Sequence, residues 1–304
     1  MIDIDNIKQL AIEKGCTVKE NEPMSRYTTF KIGGNAQLLV IVPDVSALKA
    51  ILRQCDKDKI PVFLLGKGSN LLVSDKGIDG VVIKLDGGFK KITLVDDDTV
   101  YCGAGASLAS VCRFALDNGL SGLEFAWGIP GSAGGAAYMN AGAYGGEMKD
   151  VLINCNHITK SGETGTLSGE ELALSYRHSA YADNGNIITG LSLRLHKDSK
   201  AEINRRMDDY MQRRKDKQPL DYPSAGSVFK RPEGYFAGAL IQDSGLKGES
   251  VGGAMVSPKH SGFIINTGGA TCSDVMSLIE HIKSTVNEKF GVELECEIKP
   301  VGKF

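Results

Sequence analysis

The stretch GKGSNLLVSD, Gly66 to Asp75, decides the fold of the first half of the chain. It follows PVFLL, a predicted buried strand, and its two glycines let the backbone approach a ligand closely while successive N–H groups form an anion nest. The stretch starts like the dinucleotide fingerprint G-x-G-x-x-G, but Leu71 replaces the third glycine and a strand, not a helix, is predicted next. It is therefore not a Rossmann loop, and no Walker pattern occurs. A plain tight turn is the alternative that this stretch alone leaves open.

A second stretch, GIPGSAGGAAYMNAGAYGGE, runs from Gly128 to Glu147 and holds seven glycines and five alanines. Such a segment cannot fill a core, but it can wrap a flat or phosphorylated ligand with backbone donors at close range. A flexible linker is the alternative, although linkers are polar and rich in serine whereas this stretch keeps Pro130, Tyr138 and Tyr144. Two glycine-rich loops in one half of the chain predict a large cofactor with a pyrophosphate.

Around these loops the element pattern is mixed. Strand AQLLVIV, a helix capped by Asp44 and strand PVFLL follow one another, and this β-α-β order predicts a parallel pairing. From 85 to 197 short strands dominate, including the hairpin VLINCNHITKSGETGTL, and a charged helix then ends at Pro219. The domains predicted are 1–84, 85–197 and 198–296, with residues 297–304 a candidate to pack back on the first, and the fold class is α+β.

Charge and composition exclude several classes of function. The 304 residues carry 35 basic and 37 acidic side chains, and this balance argues against broad nucleic-acid binding. The start, MIDIDNIKQL, lacks the basic region of a signal peptide, and no apolar run approaches the roughly 20 residues of a membrane span. A cytoplasmic protein is predicted, with a small-molecule substrate and no nucleic-acid or membrane partner. Its oligomeric state is left open.

Cysteines and histidines give no metal-binding pattern. The seven cysteines are scattered without a C-x-x-C pair, which is typical of free thiols in a reducing cytoplasm. The five histidines are also scattered and form no H-E-x-x-H motif. No metal site is predicted.

Several polar residues are candidates for chemistry. Ser227 lies in PSAGSVFKRP, where a nucleophile would need a base, yet the first histidine after it, His260, follows more than thirty residues later. A local turn hydrogen bond is the simpler interpretation. In SYRHSAY, Arg177 is either a surface side chain or a carboxylate ligand. In LECEIKPVG, Glu297 shares one face of a predicted strand with two other glutamates, by period two. GESVG around Ser250 matches a hydrolase pattern, but a helix precedes it and a strand follows.

Seven motifs in order resemble the UDP-N-acetylenolpyruvoylglucosamine reductase family. They span Thr28 to Gly302 and are TTFKIGG, GKGSNLLVSD, GIPGSAGGAAYMNAGAYGGE, YRHS, PSAGSVFKRP, GLKGESVGGAMVSPKHSGFIIN and LECEIKPVG. The resemblance implies a two-part FAD-binding region of the vanillyl-alcohol-oxidase/PCMH type and a C-terminal α+β substrate-binding domain. It also implies non-covalent FAD, NADPH as reductant and the enolpyruvyl ether of UDP-N-acetylglucosamine as substrate. Little room exists between Arg177 and Ser227 for the family's tyrosine-loop insertion, so the chain resembles the shorter subtype.

The resemblance also assigns roles to residues. Arg177 would bind the substrate carboxylate, Ser227 would protonate C2, and Glu297 would stabilise the enol-like carboxylate or help deliver the proton. Weaker assignments for substrate binding are Lys217, Arg231 and His260. The predicted cofactor-binding residues are Gly66, Lys67, Gly68, Ser69, Asn70, Leu71, Pro130, Gly131, Ser132, Gly134, Gly135, Asn140, Gly142, Ala143 and Tyr144.

Three rival functions remain at this stage. The first is another FAD-dependent oxidase or dehydrogenase of the same fold, many of which link FAD through His or Cys. The second loop contains neither residue type. The second rival is a serine hydrolase, which labelling by a fluorophosphonate would favour. The third is a regulator that binds flavin without oxidising NADPH.

Overall fold

The structure is a computed structural model and describes residues 2–304. Its helices are α1 (Asp5–Glu13), α2 (Val45–Lys57), α3 (Leu108–Asp117), α4 (Ala133–Tyr138), α5 (Ala180–Asn184), α6 (Lys200–Lys217), α7 (Ala237–Asp243) and α8 (Cys272–Phe290). Its strands are β1 (Thr17–Pro23), β2 (Asn35–Val42), β3 (Val62–Leu65), β4 (Leu71–Val73), β5 (Ile78–Leu85), β6 (Ile92–Leu94), β7 (Thr99–Gly103), β8 (Leu120–Ser121), β9 (Gly142–Ala143), β10 (Gly146–Glu147), β11 (Leu152–Ile158), β12 (Thr164–Ser168), β13 (Ile187–Arg194), β14 (His196–Lys197), β15 (Ser224–Ser227), β16 (Ser250–Val251), β17 (Ala254–Val256), β18 (Phe263–Asn266) and β19 (Lys299–Val301).

The chain forms two compact units, each built from separated segments. Unit 1 comprises residues up to 20, 38–67 and 80–213, and unit 2 comprises residues 21–37, 68–79 and 214–304. The boundary predicted at residue 198 lies just before α6, whereas the units part within that helix, after Arg213. The first glycine-rich loop is also divided, because Lys67 ends a segment of unit 1 and Gly68 begins one of unit 2.

In unit 1, helix α2 begins as the sequence predicts, because the Asp44 carboxylate accepts the N–H of Ala47 at 2.9 Å. The parallel pairing predicted from the β-α-β order is wrong for β2 and β3, because β5 lies between them in the order β1-β2-β5-β3. Strand β3 pairs in parallel with β5, Val62 opposite Val81. Strand β5 is apolar and buried along most of its length, so it takes the interior position of the sheet.

A second sheet of unit 1 has the order β12-β11-β13-β7-β6, and its pairs are antiparallel. The predicted hairpin is confirmed as β11 and β12, with Cys155 opposite Leu167. Helix α3 begins at Ser107, whose hydroxyl accepts the N–H of Ser110. All seven cysteines are free thiols, and burial raises the pKa of the Cys155 thiol to about 12.

Unit 2 packs α7 and α8 with a sheet of order β15-β18-β17-β16. Thr271 and Asp274 form a capping box at the start of α8. The carboxylate of Asp75, the last residue of GKGSNLLVSD, accepts the N–H groups of Cys272 and Ser273 at 2.8 and 3.0 Å. The carboxylate satisfies N–H groups of the first turn that have no partner within the helix, and its negative charge interacts favourably with the positive end of the helix dipole. Asp75 therefore has a structural role.

The C-terminal residues return to the first loop within unit 2. Strand β19 pairs in parallel with β4, Lys299 opposite Leu71 and Val301 opposite Val73. Among residues 2–304 no helix has the length and hydropathy to cross a membrane. The same residues contain no group of three His, Cys, Asp or Glu side chains arranged to hold a metal ion.

Candidate active site

The first glycine-rich loop connects β3 to β4 and contains Gly66 to Asn70, and Leu71 is the first residue of β4. Gly68 has φ +63°, and a Cβ at this position would lie 2.2 Å from the carbonyl oxygen of Tyr27. Only glycine fits such a close approach. The carbonyl of Gly68 also accepts the N–H of Thr29, so TTFKIGG supports the loop in unit 2.

The loop presents donors that suit an anion. Within residues 2–304 the backbone N–H groups of Gly68, Ser69 and Asn70 donate to no protein atom. Three successive main-chain donors in a glycine turn form a nest for a negatively charged oxygen cluster. This donor set therefore fits a pyrophosphate, the group that FAD would bring to the loop.

The second glycine-rich loop is largely ordered by its own contacts in unit 1. Pro130 and Gly131 precede α4, Ser132 caps it, and Gly134 and Gly135 lie inside it. The Ser132 hydroxyl accepts the N–H of Gly135 at 3.2 Å. A Cβ placed on Gly66 would lie only 2.9 Å from this hydroxyl. The start of the first loop and the cap of the second are thus in contact.

Asn140 in the second loop is fully buried, and its side chain is engaged inside the protein. Its amide nitrogen donates to a Glu147 carboxylate oxygen at 2.9 Å and to the Ser175 carbonyl at 3.0 Å, and its oxygen accepts the N–H of Lys149 at 2.9 Å. A contact of Asn140 with a cofactor would therefore use the backbone. The loop is consequently tied to the segment that carries Arg177.

Gly142 and Ala143 form β9, and Tyr144 follows at the turn to β10. Tyr144 has φ +54°, and its ring stacks on that of Tyr210 in α6 with centroids 4.7 Å apart. The rings are within 6° of parallel. The sequence predicts α6 only as a helix with charged, solvated residues. In the structure the Tyr210 ring of this helix supports the second loop.

Arg177 lies in a tight turn of unit 1. Ser175 and His178 exchange main-chain hydrogen bonds at 3.2 and 3.1 Å, which closes the turn around Tyr176 and Arg177. Arg177 has φ +56°, a conformation that favours glycine, and such strain is frequent at functional sites. The guanidinium carbon lies 5.0 Å from the centre of the Tyr176 ring. The buried Ser179 hydroxyl donates to the Tyr138 carbonyl at 2.6 Å, which ties the turn to α4.

Ser227 and Glu297 lie on neighbouring extended segments of unit 2. The N–H of Glu297 donates to the Val228 carbonyl at 2.7 Å, and the N–H of Lys230 donates to the Glu295 carbonyl at 2.8 Å. Glu293 and Glu295 are exposed, whereas Glu297 is half-buried, so the three carboxylates that period two groups together differ in environment. The structure therefore places the segments of Ser227 and Glu297 next to each other, although seventy residues separate them in the sequence.

His260 lies near Ser227 in unit 2. Its Nδ1 accepts the N–H of Gly262 at 3.1 Å, and a Cβ on Gly262 would lie 3.1 Å from the ring and 3.5 Å from the Ser227 hydroxyl oxygen. Burial lowers the pKa of His260, a backbone hydrogen bond opposes this, and the charges of Lys247 and Lys217 lower the pKa further. The lowered pKa therefore favours the neutral imidazole near pH 7.

Lys247 and Arg231 are two further positively charged residues of unit 2. Lys247 was missed by sequence reasoning, although it lies in GLKGESVGG, one of the quoted motifs. Arg231 is exposed, and its guanidinium lies 4.0 Å from the centre of the Phe236 ring.

Ser250 of GESVG is exposed in a hairpin of β16 and β17, with a strand where a hydrolase elbow needs a helix. Arg177 belongs to unit 1, and the other candidate catalytic residues belong to unit 2.

Comparisons with known proteins cover both halves of the chain. Residues 36–168 match the family model described as an FAD binding domain, and residues 218–301 match the C-terminal domain of UDP-N-acetylenolpyruvoylglucosamine reductase. These matches confirm the predicted FAD-binding half and C-terminal substrate domain. The glucooligosaccharide oxidase of Acremonium strictum shares only the fold, at 12% identity and a TM-score of 0.50, covering 100% of this chain and 67% of that one.

Closer relatives bear the reductase name. UDP-N-acetylenolpyruvoylglucosamine reductases of Syntrophomonas wolfei and Caldanaerobacter subterraneus are each 49% identical, covering 94% and 99% of this chain and 95% and 98% of theirs. The crystal structure of the reductase from Thermus caldophilus is 38% identical with a TM-score of 0.81, covering 94% of this chain and 98% of that one. The chain therefore belongs to the UDP-N-acetylenolpyruvoylglucosamine reductase family.

Proposed function

We propose that this chain reduces the enolpyruvyl group of UDP-N-acetylglucosamine-enolpyruvate to UDP-N-acetylmuramate, with NADPH as reductant and non-covalent FAD as cofactor. The reaction belongs to the synthesis of peptidoglycan precursors. The observation that supports it best is the hydrogen bond from the N–H of Glu297 to the Val228 carbonyl, which joins the segment of the candidate proton donor Ser227 to that of the candidate carboxyl group. Family membership supplies the substrate class, and the Gly68–Asn70 donors suit the cofactor's pyrophosphate.

Bound FAD, once reduced by NADPH, supplies the hydride that adds to C3 of the enolpyruvyl group. Negative charge then develops at C2 and on the adjoining carboxylate, and donors must meet it there. Arg177 binds the carboxylate, for which its planar fork of N–H groups is suited. The strained turn of Arg177 is consistent with a side chain held in a functional orientation.

Ser227 donates the proton to C2 and sets its configuration. A serine hydroxyl is a weak acid, so this transfer needs a transition state in which C2 is strongly basic. The Ser227 oxygen lies 3.4 Å from the Phe229 carbonyl, a long distance for a hydrogen bond, so little holds the hydroxyl in its present rotamer. Glu297 stabilises the enol-like carboxylate or helps deliver the proton from the neighbouring segment.

The diphosphate of the substrate would be bound by lysines. Lys217 and Lys247 both lower the pKa of His260 through their positive charges, and this supports two cations in the neighbourhood of this imidazole. His260 then orients the substrate or the loop instead of exchanging protons. Arg231 is the weaker candidate because its guanidinium lies over Phe236. A cytoplasmic location is part of the proposal, since nucleotide-sugar precursors are built there.

An anaerobic flavin spectrum tests the proposal. NADPH should bleach the flavin band of the wild-type protein, and UDP-N-acetylglucosamine-enolpyruvate should restore it. In Ser227→Ala we expect the bleach to persist, with reoxidation by substrate slowed about 10²- to 10³-fold. The matched control is Ser250→Ala, an exposed serine of the same unit, which should behave as the wild type.

Each contrary outcome has its own meaning. Normal reoxidation in Ser227→Ala would refute the role of this serine. A wild-type bleach without recovery would keep the flavin and discard the substrate. Labelling of Ser227 or Ser250 by a fluorophosphonate would favour a hydrolase, and a protein that takes up no FAD would refute the cofactor.

A further inference from the structure

The first glycine-rich loop is joined to the segment of Glu297 through one side chain. The amide nitrogen of Asn70 donates to the carbonyl oxygen of Glu297 at 3.1 Å. The carbonyl of Asn70 in turn accepts the N–H of Lys299 at 3.0 Å, where the pairing of β4 with β19 begins. Asn70 thus forms hydrogen bonds with the main chain on both sides of Ile298, one to Glu297 and one to Lys299.

Glu297 is held from the opposite side by the segment of Ser227. Its N–H donates to the Val228 carbonyl at 2.7 Å, and Phe229 and Cys296 form an antiparallel bridge next to it. Both groups of the Glu297 main chain are therefore engaged, the N–H toward Ser227 and the C=O toward the loop. The first bond is made by two backbones, whereas the second depends on the Asn70 side chain.

We propose that Asn70 is a positioning residue that fixes the orientation of the Glu297 carboxyl group beside Ser227. The proposal rests on the function proposed above. The direction of a side chain in an extended segment follows from the peptide planes before and after it. Without the Asn70 donor the plane after Glu297 keeps only the long hydrogen bond, 3.4 Å, from the N–H of Ile298 to the Val228 carbonyl, so it is held more weakly. A displacement of about 1 Å at a catalytic group costs on the order of 10²-fold in rate.

The side chain of Asn70 and the main chain of the first loop have different roles under this proposal. The sequence predicts Asn70 as a cofactor-binding residue. In the structure its side-chain amide donates to Glu297, while the backbone N–H groups of Gly68, Ser69 and Asn70 remain for an anion. One short loop therefore serves the flavin with its main chain and the proton-transfer residues with a side chain.

Two variants test the proposal. Asn70→Asp keeps the volume, but its ionised carboxylate cannot donate and repels the Glu297 carbonyl, and Asn70→Ala removes the donor altogether. In both we expect reoxidation at saturating substrate to slow about 10- to 100-fold, with the substrate dissociation constant changed less than about threefold. The FAD dissociation constant should also stay within about threefold of wild type.

A second readout does not depend on substrate. In FAD-loaded Asn70→Ala, deuterium exchange of residues 294–304 should accelerate about tenfold, because one of the hydrogen bonds that hold this segment is lost. The control is Asn118→Ala in unit 1, where the same bond type joins an asparagine amide to the Phe114 carbonyl at 2.8 Å. It should leave residues 294–304 and the reoxidation rate unchanged.

The outcomes separate the alternatives. Loss of FAD affinity with normal reoxidation would overturn the proposal and make the Asn70 side chain a flavin ligand. Unchanged exchange in residues 294–304 would overturn it regardless of the substrate result. Faster exchange together with a wild-type protein that no substrate reoxidises would uphold the positioning of Glu297 and refute the proposed function.

Discussion

The two places that hold the candidate catalytic residues are built differently. In unit 1 the turn of Arg177 has a left-handed residue that is not glycine, and side chains of Asn140 and Ser179 tie it to the second loop. In unit 2 main-chain hydrogen bonds join the segments of Ser227 and Glu297, and one side chain supplements them. Side-chain ties can be removed by substitution, whereas backbone pairs cannot. The position of Arg177 should therefore be the more sensitive of the two to substitution nearby.

The largest expected effect is at Asn140. Asn140→Ala removes the three hydrogen bonds that this buried side chain makes to the Ser175 carbonyl, the Glu147 carboxylate and the Lys149 N–H, so the free energy of unfolding should fall by about 2–4 kcal/mol. Reoxidation by substrate should slow more than reduction by NADPH, because the turn of Arg177 loses one of its two side-chain bonds to the second loop. Denaturant unfolding at a fixed FAD concentration and stopped-flow spectra measure the two effects.

Asn118→Ala is the matched control here too, because it removes a single amide-to-carbonyl bond at the end of α3. We expect it to cost about 0.5–1.5 kcal/mol and to leave both half-reactions alone. An equal loss of stability in the two variants would show that the network of Asn140 adds nothing to the turn.

A matched pair of hydroxyls gives an intermediate effect. Ser179 donates to Tyr138 in unit 1 at 2.6 Å, and Thr29 donates to the Ser224 carbonyl in unit 2 at 2.7 Å. Ser179→Ala and Thr29→Val should each lower the free energy of unfolding by about 1–2 kcal/mol. Only Ser179→Ala should slow reoxidation, about tenfold, since backbone bonds still hold Ser227 when Thr29 is replaced. Equal slowing in both variants would contradict the comparison.

The smallest effect concerns two histidines, one in each unit. Burial lowers the pKa of both His157 and His260, and Lys247 and Lys217 lower that of His260 further. Both should therefore titrate below the ordinary value of about 6.5. Because the unfolded chain binds these protons more readily, their contribution to stability is complete above that value and is lost as the pH falls.

Inorganic pyrophosphate distinguishes the two histidines. Bound at Lys217 and Lys247, it should raise the pKa of His260 and leave that of His157 unchanged, because burial alone is the cause at His157. NMR titration of the histidine ring protons measures both. A shift of His157, or none at His260, would remove the support for a diphosphate site at these lysines.

Local patterns predicted much of the fold. The capped helix at Asp44, the hairpin of residues 152–168 and the strand after GKGSN follow from capping, alternation and turn residues, which act over a few positions. The interior place of β5 did not follow, because pairing partners in a sheet depend on which apolar strand fits between two others. The interleaving of the two units likewise depends on contacts between distant segments.

For the site, motif order identified the family, and the same motifs predict Arg177, Ser227 and Glu297 as catalytic residues, because chemistry restricts the residue types that can serve. By itself the sequence also determined that the first loop is not of the Rossmann type, since a missing glycine changes what the backbone can approach. Only the tertiary structure decided that Asp75 caps α8, that Asn140 supports the turn of Arg177 and that Asn70 contacts Glu297. These are single hydrogen bonds between residues far apart in the chain, and no local pattern records such a contact until folding brings its two ends together.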